Sequence, residues 1–252
     1  MSKHNALNML GRSGNPTLSD ATFSDFEKID QKTMTLQGTV NKVGILLALV
    51  VLSAAYTWNI YFVTGSPGAL MPIGLFGGMI FALITIFKKN WAMYTAPIYA
   101  ILEGFFLGGI SAIFESQYPG IVIQATGLTF GTLASLLVLY KTGIIKPTEN
   151  FRLMVVSATM GIALLYVVSF IMSMFGTGIG FIHDNGIFGI GFSLFVVGIA
   201  ALNLVLDFDF IEEGSEKNAP KYMEWFGAFA LMVTLIWLYL EMLRLLAKLR
   251  SR

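Results

Sequence analysis

The sequence predicts an all-α integral membrane protein, a bundle of seven transmembrane helices. Three observations predict it. Hydrophobic residues make up 56% of the 252 positions and mean hydropathy is +0.73. Charged residues make up only 12%, against about 25% in an average soluble domain. Seven apolar stretches follow one another, each near the roughly 20 helical residues that a bilayer core of about 30 Å requires, and their connections are short and rich in Gly, Pro, Asn or charge.

Residues 1–42 form a polar leader. It lacks the early apolar core of a cleavable signal peptide, so the first span acts as its own uncleaved signal. Within it, Ser24-Asp25-Phe26-Glu27 has the pattern of a capping box, and Phe23, Phe26 and Ile29 share one side of a short helix. Such a helix would lie on the membrane surface. A loosely ordered tail is the alternative, because Gly11, Gly14 and Pro16 precede a short apolar stripe.

The membrane domain, residues 43–252, holds spans expected at Val43 to Val63, Gly68 to Phe87, Tyr94 to Phe114, Ile121 to Tyr140, Leu153 to Phe175, Gly186 to Leu206 and Trp225 to Leu246. Lys and Arg near span ends are retained on the cytoplasmic side, and this orients the chain. With the N-terminus cytoplasmic, Lys3, Arg12, Lys28, Lys32, Lys42, Lys88, Lys89, Lys141, Lys146, Arg152, Lys217 and Lys221 fall inside, and the first three outer loops carry no Lys or Arg. Arg244, Lys248, Arg250 and Arg252 dissent. Either the last helix crosses against its charge, or one apolar segment is re-entrant; the length of every segment favours seven crossings.

Small residues at Gly74, Gly77, Gly78, Gly104, Gly108, Gly186, Gly189 and Gly191 are read as close helix packing. Thirteen Met and 21 Phe fill the bundle and face lipid. Cysteine is absent, which removes disulfides, thiolate nucleophiles and Cys-type metal sites together. His4 and His183 both lie outside the apolar spans, so neither a zinc hydrolase site nor a Ser-His relay is expected, and the chain is read as not an enzyme and as needing no cofactor. A net charge of +1 points away from nucleic acid as a partner. No repeat of 20 to 50 residues is evident that would support an inverted-repeat transporter.

The chemistry is carried by acids placed in or at the edges of the spans, Glu103, Asp207, Asp209 and Glu241. Each costs roughly 2.5 to 3.5 kcal/mol to insert, so its presence calls for a reason. Glu103 sits mid-span beside Ala100, Gly104 and Leu107 and is expected to face a neighbouring helix or a cavity; donation of one interhelical hydrogen bond is the structural alternative. Asp207 and Asp209 end the sixth span, which should continue to about Gly214 and leave Asp207 about 10 Å inside that end. Asn203, one turn before Asp207, offers an amide oxygen or a hydrogen bond. Glu212 and Glu213 are read as a solvated helix end, and Asp209 as a flanking residue. Glu241 either pairs locally with Arg244 three residues on, or shares a proton with Asp207 in a carboxyl pair. The two are level if the chain reverses at Glu224 and at different depths if the last helix starts at Pro220.

In Pro97-Ile98-Tyr99-Ala100-Ile101-Leu102-Glu103-Gly104-Phe105-Phe106-Leu107-Gly108, in Asp207-Phe208-Asp209-Phe210-Ile211 and in Leu238-Tyr239-Leu240-Glu241, the chain resembles the Bax inhibitor-1-like (transmembrane Bax inhibitor motif) family. The likeness runs from Gly14-Asn15-Pro16 to the C-terminus and is to a bacterial branch with a longer leader. It implies a seven-helix bundle with the last helix central, and a pH-sensitive calcium leak gated by paired aspartates on the sixth and seventh helices. By motif position these are Asp207 and Glu241, the latter a Glu where the pattern has Asp. The arginine latch of some members has no clear match in this chain, with Lys88 and Lys89 as the nearby candidates.

The expected function is therefore a pH-sensitive calcium or cation leak in a bacterial inner membrane. Asp207, Glu241, Glu103, Asp209 and Asn203 would gate it or bind the ion, with Asp207 and Glu241 as calcium ligands. Oxygen donors of this kind suit Ca²⁺. The alternative is a non-transporting regulatory protein that binds a membrane protease or stress-response factor through its leader. The expected partners are the lipid bilayer and a cation.

Overall fold

The computed structural model describes residues 33–176 and 185–251. Among the described residues, seven helices are long and apolar enough to cross a membrane. They are α1 (Leu36–Thr64), α2 (Leu70–Phe87), α3 (Ala92–Gln117), α4 (Ile121–Lys141), α5 (Glu149–Met174), α6 (Ile187–Glu216) and α7 (Met223–Arg250), with one 3-10 turn, Lys89–Trp91, leading into α3. The capping-box motif Ser24 to Glu27 and both histidines, His4 and His183, lie outside the described residues.

Hydropathy places the spans, and hydrogen bonding sets their ends. α1 starts at Leu36, before the apolar run begins, because Thr35 caps it by accepting from Gly38 N–H at 3.0 Å. That side-chain acceptor satisfies one of the four orphan donors of a helix start and carries the polar turn of Gln37, Asn41 and Lys42 into the helix. Thr148 does the same for α5, accepting from Phe151 N–H at 3.3 Å. At the other end of α1, Gly65 adopts φ +78° and donates to Tyr61 O at 2.7 Å, a left-handed stop that suits glycine. α6 runs through the Asp207 region to Glu216, where Lys217 pairs with Glu213 at 2.5 Å on the helix surface.

The described chain falls into two compact units. One holds residues 33–122 and 210–233: α1, α2, α3, the end of α6 and the beginning of α7. Here α3 packs on both α1 and α2. The glycine pattern works as the sequence suggests, because a Cβ on Gly104 would collide with Ser53 and the Val50 carbonyl, and one on Gly108 with the Ala54 backbone. Gly74 meets the Leu102 carbonyl in the same manner. Backbone contact this close is open only to small residues.

The other unit holds residues 123–176, 185–209 and 234–251: nearly all of α4, α5, most of α6 and the rest of α7. Val155 and Val156 pack with Leu206, and Ile162 packs with Val196, Ile199 and Trp237. Gly191 departs from the packing expectation, since nothing described lies within 4 Å of the place its Cβ would take.

Burial is graded along the chain. In the apolar window of α7, 78% of residues are enclosed, against 17% in α2 and in α4. The exposed faces are apolar, as with Phe76, Met79 and Ile80 on α2, which is the surface a lipid-facing helix presents. An enclosed helix such as α7 is where polar side chains find partners.

The basic C-terminal end of α7, which dissents from the charge rule, is absorbed within its own unit. Lys248 is buried and donates to the Gly189 carbonyl at 3.0 Å and to Ser193 Oγ at 2.9 Å, and Arg250 donates to Gln124 Oε1 at 2.9 Å. Those partners belong to the first two turns of α6 and the first turn of α4. The end of α7 thus lies beside the start of α6.

Candidate functional site

The buried polar part of α6 begins at Asn203. Its Nδ2 donates to Thr159 Oγ1 of α5 at 2.8 Å and to the Ile199 carbonyl at 2.9 Å. Thr159 in turn donates to the Val155 carbonyl at 2.9 Å, so the amide is oriented by a short chain of bonds ending on backbone. Asn203 Oδ1 is left buried with no hydrogen-bond partner among the described residues. One turn on, Asp207 is fully buried between buried Leu206 and Phe208.

Asp209 is placed differently. At about 100° per residue it is turned about 200° from Asp207, and this takes it to α5. Arg152 Nη2 meets Asp209 Oδ2 at 2.5 Å, with both side chains mostly enclosed, and Phe208 between the two acids leans on Tyr140 at 5.9 Å. Asp209, expected as a flanking residue, thus has a cationic partner on α5. Arg152, which the sequence puts among the basic loop residues, lies in the first turn of α5.

Glu241 does not join Asp207 in a carboxyl pair. Its Oε1 accepts from the Tyr166 hydroxyl at 3.0 Å and from Arg244 Nη1 at 2.8 Å, and its Oε2 is buried without a hydrogen-bond partner among the described residues. Helix geometry gives the reason. α6 ends at Glu216 and α7 begins at Met223, so the chain reverses near Pro220 and not at Glu224. Asp207 then lies about nine residues from the turn and Glu241 about eighteen, a difference of about 13 Å in depth at 1.5 Å per residue. The local pair with Arg244 is present, and Tyr166 of α5 completes it.

Glu103 belongs to the other unit. Its carboxyl lies over bare backbone of α2, with Oε2 only 2.7 Å from where a Cβ on Gly78 would be. It has no hydrogen bond or ion pair to a described residue. Of the expected neighbouring helix or cavity, the carboxyl thus faces the helix α2. The alternative of an interhelical hydrogen bond is not what the described residues show.

Sequence reasoning missed Tyr166, Thr159 and the pairing role of Arg152. Tyrosine and threonine are unremarkable in an apolar span, and their partners are distant in sequence. It also passed over Glu224, considered as a possible point of chain reversal, which is another fully buried acid. The signal was present: an acidic residue in the first turn of a helix, flanked by Lys221 and Trp225.

Among the described residues, the hydrogen bonds of Glu241, expected as a calcium ligand with Asp207, go to Tyr166 and Arg244. No group of three or more His, Cys, Asp or Glu able to hold a metal occurs among the described residues. What α6 offers is a carboxylate and an amide oxygen about 6 Å apart in rise on successive turns. Such an arrangement provides successive weak oxygen contacts and not a cage.

Neither the curated proteins nor the solved structures contain a match to this chain. One family model, described as Bax inhibitor 1 like, matches residues 15–251. That match spans all seven helices and the acids Glu103, Asp207 and Glu241 of α3, α6 and α7, and the chain belongs to the Bax inhibitor 1 like family of membrane proteins.

Proposed function

We propose that this protein is a proton-sensitive cation leak that lets calcium cross a bacterial inner membrane, with the N-terminus on the cytoplasmic side. One observation carries the reading: a fully buried carboxylate, Asp207, one turn from a buried amide oxygen, Asn203 Oδ1, that has no hydrogen-bond partner among the described residues. Hard oxygen donors suit Ca²⁺, and conduction needs sites that attract the ion without trapping it. A buried acid within a span is retained for a purpose, because insertion is costly. The family relationship supports the same direction, and the Lys and Arg of the loops support the orientation.

In this reading Asp207 is the proton-responsive group and Asn203 a neighbouring ligand. Taking up a proton removes a charge from an enclosed part of α6 and loosens the contacts that hold the helix closed. Calcium influx into proteoliposomes at two pH values tests it. Flux should rise on acidification, and Asp207→Asn, which cannot ionise, should abolish the difference. A variant with unaltered flux and unaltered pH response would remove Asp207 from the gate.

A further inference from the structure

The fully buried Glu224 opens α7, and its surroundings are assembled from three stretches of chain. Oε1 accepts from Thr35 N–H and from Thr35 Oγ1, both at 2.9 Å, and from Lys221 Nζ at 2.6 Å. Oε2 meets Lys42 Nζ at 2.5 Å. α1 has no acidic residue in its own first turn, so the carboxylate that complements its positive N-terminal end comes from α7. Thr35 serves both sides, capping α1 through Gly38 N–H while donating to Glu224.

The neighbourhood is shaped for this one group. A Cβ on Gly38 would fall inside the Glu224 carboxylate, so any side chain there displaces it. Met34, Ala219, Met223 and Phe226 around it are buried. Lys42 also lies over the Trp225 ring at 5.5 Å. The segment before α1 is fastened a second time, since Met34 N–H donates to the Ala219 carbonyl at 2.7 Å and Thr33 bridges Pro220 in antiparallel fashion.

We infer that Glu224 is the bolt of a latch that holds the segment Thr33 to Thr35 against the start of α7, with Lys42 and Lys221 as its keepers and Gly38 as its socket. The two ammonium groups differ in access: Lys221 is 45% exposed and Lys42 17%. The bolt is therefore neutralised from the aqueous side while its carboxylate stays dry. A buried acid stripped of its cations is strongly disfavoured, so losing them releases the segment and does not leave the carboxylate in place. The latch makes the segment Thr33 to Thr35 and the start of α7 move as one piece.

The chain has no cysteine, so an introduced pair is unambiguous. Thr33→Cys with Pro220→Cys places two thiols across the antiparallel bridge, at a separation a disulfide accepts. In liposomes this pair should oxidise readily, and adding Glu224→Gln should slow oxidation and speed amide exchange at Met34 by about tenfold, which corresponds to about 1.4 kcal/mol. Gly38→Ala, which leaves every charge in place but fills the socket, should reproduce both changes. Wild-type oxidation and exchange rates in both variants would overturn the latch. Neither measurement depends on ion flux, so loss of the leak reading would leave this result standing, and the reverse also holds.

Discussion

The Tyr166 hydroxyl donates to Glu241 Oε1 at 3.0 Å and accepts from Arg244 Nη1 at 2.8 Å, while the same Nη1 donates to Glu241 Oε1, closing a triangle between α5 and α7. The Arg244 guanidinium also lies over the Tyr166 ring at 5.4 Å. The pair along α7 would place Glu241 and Arg244 on one helix face without any help. Tyr166 converts that local pair into an interhelical contact.

Tyr166→Phe should lower stability by about 1–3 kcal/mol, because it removes a donor and an acceptor from a part-buried triangle whose carboxylate is enclosed. Arg244→Met should cost more, since it leaves the buried Glu241 carboxylate without its cation. Thermal unfolding in detergent ranks the two. An Arg244 variant as stable as Tyr166→Phe would mean that the tyrosine, and not the guanidinium, holds Glu241.

Arg152 and Asp209 should show a coupling of about 0.5–3 kcal/mol in a double-mutant cycle of Arg152→Gln and Asp209→Asn. Both groups keep some contact with solvent, at 14% and 20% exposure, so added salt should reduce the coupling. Additive single effects would show that the contact contributes nothing to stability.

Asn203→Leu and Thr159→Val separate ligand from support. The first removes the amide oxygen next to Asp207 and should depress calcium flux in proteoliposomes. The second keeps that oxygen and removes the hydroxyl that orients it, with a cost of about 1–2 kcal/mol in stability and a much smaller change in flux. Equal flux in the two variants would take Asn203 out of the ion path.

Gly108→Ala should destabilise by about 1–3 kcal/mol, because its Cβ would overlap the Ala54 backbone where α3 crosses α1. Gly131→Ala on α4 meets nothing described within 4 Å and should be neutral or stabilising by up to about 1 kcal/mol. Unfolding of the two variants side by side checks it. Similar losses would mean that helix propensity, and not close approach, governs both positions.

Much of the fold is legible in the sequence for a simple physical reason. A bilayer selects about 20 consecutive apolar residues, and composition reports that directly. All seven spans are where hydropathy puts them, and several run beyond their apolar stretches, as α1 does from its Thr35 cap and α6 does through the acidic residues to Glu216. Gly104 and Gly108 were readable as contact points because small residues are what close backbone approach requires. Gly191 followed the same pattern without the contact, since spacing on one helix does not say which face has a neighbour.

The site is different. Asp207, Asn203 and Glu103 stood out because a polar group in an apolar run is visible without a structure. Their partners were not. Thr159 lies 44 residues from Asn203, Tyr166 lies 75 from Glu241, and Lys42 lies 182 from Glu224. The sequence by itself determined which segments enter the membrane and which acids must be accommodated there, because transfer into a bilayer acts residue by residue. Only the tertiary structure decided which acid meets which cation. Helix rise and the reversal near Pro220 set Glu241 about 13 Å in depth from Asp207, and only packing brings Glu224 to the start of α1.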